Sequence, residues 1–386
     1  MGRARFFPAL LLAGAVPIAG LTGCGDREPP EDPAPMSVTG ALSGEDQVAG
    51  LARVEGPEPL VFPRDHGPHP GYRHEWWYVT GHLFDGEDRH YGFQVTLFRF
   101  NVAPESTPER PSAWATDQLW MGHFAITDTQ GEAFHHFERL SRGALELAGG
   151  QPDPFRIWLE DWSLAADDDS PGPFPMRVRF QQDGFGVDLR LEAEKPMVLQ
   201  GDGGYSQKGP ERGNASRYFS WTRLAAEGRL TLEGDERRVA GQAWKDREWG
   251  TSALGEDLAG WDWFSVQLDD GHELMFYHLR REDGGVDPIS KGLWVTPAGD
   301  SRVLGLEDVD LVATDEWQSP DGQATYPGGW QLTLPEEGLA LELRPVVADQ
   351  ELRAGVFRYW EGALAVSGER AGQPVSGHGY AELTGY

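Results

Sequence analysis

Apolar and polar positions alternate along most of the chain in short runs broken by turn residues. "EWWYVTGHLF" is rich in strand formers, "DGED" is a turn, and "HYGFQVTLFRF" places Tyr91, Phe93, Val95 and Leu97 on one face. "MRVRF", "QQDG" and "FGVDLRLEAE" repeat the form, with Phe185, Val187, Leu189 and Leu191 aligned. "WFSVQL", "DDGH" and "ELMFYHLR" predict a further hairpin. No capped amphipathic helix is evident; "EDLAGWDW" is the one place where a helical turn is expected. Regular short strands with Asp-Gly turns predict an all-β barrel or sandwich.

A weak internal repeat divides the chain. Val239-x-Gly241-x-Ala243-Trp244-x-Asp246 aligns with Val375-x-Gly377-x-Gly379-Tyr380-x-Glu382. "RYFSW" at Arg217 and "RYWEG" at Arg358 open the two copies, and Trp77-Tyr78 and Trp263-Phe264 mark the first strand of each half. The pattern predicts two related β domains, 56–250 and 251–386. At period two, Gln242, Trp244 and Asp246 share a face, as do His378, Tyr380 and Glu382. Each closing strand therefore sets an aromatic ring beside a carboxylate. If that face looks into a barrel, burial raises the carboxylate's pKa. The alternative is a carboxylate paired with an Arg at a strand end.

The first residues change the picture. "MGRARFFPALLLAGAVPIAGLTGC" has a basic start, an apolar run interrupted by Pro8 and Pro17, and small residues before Cys24, the layout of a signal peptide over 1–23. "LTGC" resembles a bacterial lipobox, which implies an acylated Cys24 as a membrane anchor. Residues 24–55 read as a flexible acidic, Pro-rich tether. The expected location is the cell envelope, facing the periplasm or the exterior.

Composition excludes more than it assigns. The 386 residues carry 62 Asp and Glu against 33 Lys and Arg, a net charge of -29, which argues against a nucleic-acid partner. The single cysteine rules out an internal disulfide and a Cys-based zinc site. No cofactor motif is present: "LQGDGGYSQKG" lacks the spacing of a phosphate loop.

"FPRDHGPHPGYRHEWWYVTG" holds His66, His69 and His74 with Asp65 and Glu75, a metal set on paper. Pro63, Pro68 and Pro70 stiffen it instead as the lead into the first strand, and no metal is predicted. Glu75 is expected to pair with Arg247 of the closing strand. His135, His136 and His272 read as surface or strand-end residues, and His278 as half-buried.

The stretches "FPRDHGPHPGYRHEWWYVTGHL", "KPMVLQGDGGYSQKG", "YFSWTRL", "GQAWKDREWG", "GWDWFSVQLDDGHELMFYHLR", "YPGGW", "YWEGALAV" and "GYAELTGY" together resemble a bacterial family of two-domain lipocalin-like proteins. That family includes AttH proteins, so-called secreted hydrolases and, more distantly, carotenoid 1,2-hydratases. The resemblance implies two antiparallel lipocalin-like barrels packed together. By likeness to the hydratases it implies Asp246 as proton donor, with Trp244 and Tyr218 beside it, although the hydratases pair that Asp with a His and a Trp upstream and the His has no match in "ASRYFSWTRL". Glu75, Trp76, Trp77, Tyr78, Trp221, Trp263 and Tyr380 are the expected ligand-binding residues. No Gly-x-Ser-x-Gly elbow is present.

Three roles fit this reading. The first is a lipid-anchored protein that binds or processes an apolar small molecule, a lipid or isoprenoid. The second is an acid-catalysing hydratase or hydrolase using Asp246. The third is an accessory to an export complex with transporter components.

Overall fold

The computed structural model describes residues 36–37, 50–102, 112–167, 172–251, 254–255, 257–353 and 357–386. The expected signal peptide and Cys24 lie outside these residues, as does most of the expected tether.

Met36–Ser37 forms β1. The first half then runs through β2 (His74–Asp85), β3 (His90–Asn101), β4 (Gln118–Asp128), β5 (Ala133–Arg142), β6 (Ala148–Pro152), β7 (Phe155–Leu159), β8 (Trp162–Ala166) and β9 (Met176–Gln182). It continues as β10 (Phe185–Ala193), β11 (Val198–Leu199), β12 (Tyr205–Gln207), β13 (Ala215–Leu232) and β14 (Asp235–Gly250). The second half holds β15 (Leu258–Leu268), β16 (Glu273–Arg281), β17 (Lys291–Val295), β18 (Ser301–Gly305), β19 (Asp310–Gln318) and β20 (Thr325–Leu334). Its last strands are β21 (Leu339–Pro345), β22 (Glu351–Leu352), β23 (Phe357–Arg370) and β24 (Gln373–Leu383). The "EDLAGWDW" stretch is strand from Leu258 onward rather than a helical turn, because Trp261 and Trp263 pair with β16 and β24.

The two halves form two sheets of the same plan. The first runs β5-β4-β3-β2-β14-β13-β10-β9-β8-β7-β6, and the second β18-β17-β16-β15-β24-β23-β21-β20-β19. The hairpins β13–β14 and β23–β24, where the sequence repeat lies, occupy equivalent places. The first sheet curls into a nearly closed barrel. Arg139 on the edge strand β5 reaches across to β9, donating to Gln182 Oε1 at 2.7 Å and to the Gln181 carbonyl at 3.1 Å. Each sheet has its own apolar core. Tyr91, Phe93, Val95 and Leu97 fill the first with Val187, Leu189 and Leu191; Phe264, Trp330, Leu341 and Trp360 belong to the second.

Both sheets belong to a single compact unit and meet face to face. Glu273 of β16 is fully buried there, accepting from Lys195 Nζ at 2.7 Å and Arg223 Nε at 2.5 Å, both from the first half. A bulge in β13 between Trp221 and Leu224 turns both Thr222 and Arg223 toward Glu273. Gln267 Nε2 donates to the carbonyls of Thr222 (2.7 Å) and Ala243 (3.0 Å). Gly92 lets the sheets approach: a Cβ there would lie 2.7 Å from the Ala363 Cβ and 2.9 Å from the Tyr380 hydroxyl.

The His-rich entry is structural. Arg64–His66 is a single 3-10 turn. His69 stacks on Trp249 with ring centroids 4.0 Å apart and its backbone N–H donates to Glu75 at 2.9 Å. His66 stacks on Phe62, whereas His74 packs with Trp76, so the three imidazoles do not converge. Glu75 is held by Arg247, Arg99 and His69, and this ties β14 to β2. The two arginines hold its pKa well below the ordinary carboxylate range against the opposing effect of burial. The Arg247 guanidinium also lies over Trp77, 4.0 Å from the ring centroid.

Arg247→Met removes one of the two arginines that hold the buried Glu75 and leaves Arg99 as its only guanidinium partner, which is expected to cost about 3 kcal/mol in urea unfolding. Arg247→Lys, which keeps a cation beside Glu75, loses less. An Arg247→Met protein as stable as the parent would contradict this account of barrel closure.

Candidate active site

Strand register builds the site before any side chain is considered. On the outer face of the first sheet one row runs Tyr218–Glu248–Trp76–Phe98, and the next Ser220–Asp246–Tyr78–Thr96–His123. On the facing surface of the second sheet a row runs Glu361–Glu382–Trp263–Tyr277. Between them lies a partly open, concave cleft lined from both sheets, the kind of mostly apolar space in which small organic ligands bind. Its walls are chiefly aromatic and aliphatic, with Asp246, Glu248, Glu382, Lys208, His74 and His123 set among them.

Asp246 is the best-positioned polar group. Its Oδ1 accepts from Trp244 Nε1 at 2.7 Å and Ser220 Oγ at 2.5 Å, and its Oδ2 accepts from the Tyr218 hydroxyl at 2.6 Å. Trp263 Nε1, from the second sheet, donates to that hydroxyl at 3.1 Å. No cation pairs with Asp246 among the described residues. Burial raises its pKa to about 6 even though three hydrogen bonds oppose the shift, and Glu248 nearby pushes it further up. Burial and the neighbouring Asp246 drive the Tyr218 phenol well above its ordinary pKa, so it remains a donor.

Glu382 occupies the place in β24 that Asp246 occupies in β14. It accepts from Trp261 Nε1 at 2.8 Å, and burial pushes it to about 7, with Glu248 and Asp246 adding to the shift. The cross-strand neighbour that is Ser220 for Asp246 is Glu361 for Glu382. Burial, and then the like charge of Glu382, lift Glu361 well above the carboxylate range. The Tyr78 and Tyr359 hydroxyls lie near enough to favour its charge, but neither Glu361 oxygen has a well-formed hydrogen bond. Glu248 is neutralised differently, by Lys208 Nζ at 3.0 Å and the Ser216 hydroxyl. That ammonium lies over the Tyr277 ring, 4.7 Å from its centroid. His74 is buried, and burial and then nearby arginines depress its pKa to about 3, so it is a neutral imidazole.

The residues expected from sequence separate into two groups. Asp246, Tyr218, Trp244, Tyr78, Trp263 and Trp76 come together at the cleft or against it. Tyr380 belongs to the same layer but lines a smaller adjoining space. Glu75, Trp77 and Trp221 do not line the cleft, because alternation along β2 and β13 turns them to the barrel side. The face carrying Trp244 and Asp246 looks out of the barrel toward the second sheet, rather than into the barrel; Ala243, Lys245, Arg247 and Trp249 take the inward positions of β14. The expected reading missed Glu361, Lys208 and Glu248. Glu361 left a trace, an acid inside the apolar strand "YWEGALAV". Glu248 lies at period two from Asp246, on the same face.

Comparison with known proteins places the family and the fold. The AttH-like family profile matches residues 53–386. The chain belongs to the AttH-like family. A crystal structure of a candidate AttH from Nitrosomonas europaea is 34% identical, with a TM-score of 0.75, covering 87% of this chain and 100% of the other. Kievitone hydratase from Nectria haematococca shares the fold at 15% identity, with a TM-score of 0.66 over 89% of this chain and 95% of its own. CghA, solved with Sch210972, shares it at 16% identity and a TM-score of 0.50, over 89% and 97%. Comparison with curated proteins finds no relative by sequence.

Asp246→Asn tests the electrostatics. A carboxyl whose folded pKa stands above its unfolded value binds extra protons in the native state, so its contribution to stability falls as pH rises through that interval. With a folded value of about 6, wild type loses about 1.4 kcal/mol relative to Asp246→Asn between pH 5 and pH 7.5. Urea titrations of both proteins at these pH values measure it. Parallel pH dependence of the two would contradict the raised pKa.

Proposed function

We propose that this AttH-like protein is a hydratase-type enzyme that protonates a carbon–carbon double bond of an apolar, isoprenoid-like or lipid-like substrate, with Asp246 as the acid. One observation carries the reading: a buried carboxyl held by three neutral donors, with no cation partner among the described residues, stands in an aromatic cleft. Adding water to an isolated alkene begins with proton transfer from a desolvated acid to carbon. Asp246 Oδ2 takes a single hydrogen bond, from Tyr218, and keeps a lone pair for the transferable proton.

The step leaves a carbocation on the substrate and a carboxylate on Asp246. Trp76 and Trp263 offer rings to that cation, and the new Asp246 charge stabilises it at close range. Water attacks the cation, and its surplus proton returns to Asp246, which restores the acid and balances the addition. Ser220, Trp244 and Tyr218 fix the carboxyl throughout. A neighbour of the same fold bears the name of a hydratase, which supports the reading at the level of the fold.

Acyclic carotenoids and related polyenes, incubated with the protein in isotopically labelled water, test it by mass spectrometry. The expected product gains one water, Asp246→Asn slows its formation about 100-fold or more, and kcat/KM falls above about pH 6 as the acid ionises. Equal turnover by Asp246→Asn would sink the role. Ligands that bind in the cleft and are recovered unchanged would favour a carrier instead.

A further inference from the structure

Four residues along β2 from Tyr78, and four along β24 from Glu382, a second polar cluster bridges the sheets. It contains His82 and His90 from the first sheet and His378 from the second. Their ring nitrogens all lie within 4.8 Å of one another. His82 Nδ1 and His90 Nε2 are already 2.8 Å apart. The far nitrogen of each ring is also engaged. His82 Nε2 donates to the Gly379 carbonyl at 2.8 Å, and His90 Nδ1 pairs with Thr129 Oγ1 at 2.7 Å. The His378 ring packs 4.7 Å from His82 and 5.5 Å from His90, centroid to centroid.

From this arrangement we infer that His82, His90 and His378 form a binding site for a divalent transition-metal ion of the zinc class, clamping the two sheets together. Three neutral imidazoles suit zinc, cobalt, nickel or copper, and do not suit magnesium or calcium. Metal-bound histidines commonly donate from the far nitrogen to a carbonyl or a polar side chain, which fixes tautomer and ring orientation. His82 already makes that contact to Gly379.

His90 attains it without losing or gaining a proton. Its hydrogen moves from Nε2, where it bridges to His82, to Nδ1, where it donates to Thr129; the threonine hydroxyl reverses from donor to acceptor. A tetrahedral site with bonds of about 2.0–2.1 Å needs ligand nitrogens roughly 3.3 Å apart. The His82–His90 pair therefore opens by about half an ångström while His378, which is partly exposed, rotates inward. Its exposure leaves the fourth position to water.

The placement gives the ion a structural consequence. β2 carries Tyr78 and His82 on one face, and β24 carries Glu382 and His378. A metal held there locks the strands that bear the cleft about 13 Å from it, at roughly 3.3 Å per residue. The site is independent of the proposed hydratase chemistry.

Cobalt(II) added to the metal-stripped full chain provides the test, because its visible absorption reports nitrogen ligands. The expected result is one cobalt per chain with d–d bands, displaced by zinc and unaffected by excess magnesium. Zinc raises the thermal midpoint by mass action. His378→Ala, or His378→Gln if the alanine variant does not fold, lowers cobalt affinity about 100-fold or more and abolishes the bands. His272→Ala, which removes an imidazole outside the cluster, leaves both intact. Cobalt binding without d–d bands, or binding unchanged by loss of the His378 ring, would assign the ions to the acidic surface and overturn the site.

Discussion

Everything at the cleft depends on the seam where two antiparallel sheets pack face to face. β14 serves both sides of the first sheet. Its inward residues, Ala243, Lys245, Arg247 and Trp249, close the barrel, while Trp244, Asp246 and Glu248 face the second sheet. The Glu75–Arg247 pair that fixes β14 against β2 therefore also fixes the height and angle of Asp246. A strand has two faces at period two, and this one uses the first for stability and the second for chemistry.

The seam also sorts charge. Glu273 takes Lys195 and Arg223 and Glu248 takes Lys208, as Glu75 takes Arg247 and Arg99 on the barrel side. Each of these acids is partnered by a cation. Asp246 and Glu382 instead receive neutral donors, from Tyr218, Ser220 and Trp244 and from Trp261. Neutral donors orient a carboxyl without removing its proton affinity, so burial prevails and the pKa rises. The duplicated hairpins bring the two acids to matching positions. Ser220 in one copy for Glu361 in the other, together with Trp244 for Tyr380, makes the two halves chemically unequal.

Much of the fold was legible because β alternation is a local signal. The faces built on Tyr91, Phe93, Val95 and Leu97, and on Val187, Leu189 and Leu191, lie in the core the pattern assigned them. The repeat pointed to two sheets of one plan, and period two coupled Trp244 to Asp246. Long-range geometry was not legible. Nothing within "AWKD" says whether that face looks into a barrel or across to another sheet, since both demand an apolar surround. Trp76, Trp77 and Tyr78 looked like one aromatic run, yet alternation sends Trp77 to the barrel core and the other two to the cleft side. His82, His90 and His378 meet only after the sheets pack, and no spacing in the chain announces it.

Membership of the AttH-like family accounts for the architecture, and Asp246, held by neutral donors alone among the described residues, for the chemistry proposed within it. Whether that carboxyl holds its proton near neutrality is the most direct question. Selective carbon-13 labelling of aspartate side chains, followed by NMR titration, isolates it as the resonance missing from Asp246→Asn. The account predicts a midpoint near pH 6 for that resonance. A midpoint at or below the ordinary aspartate value of about 3.9 would contradict it.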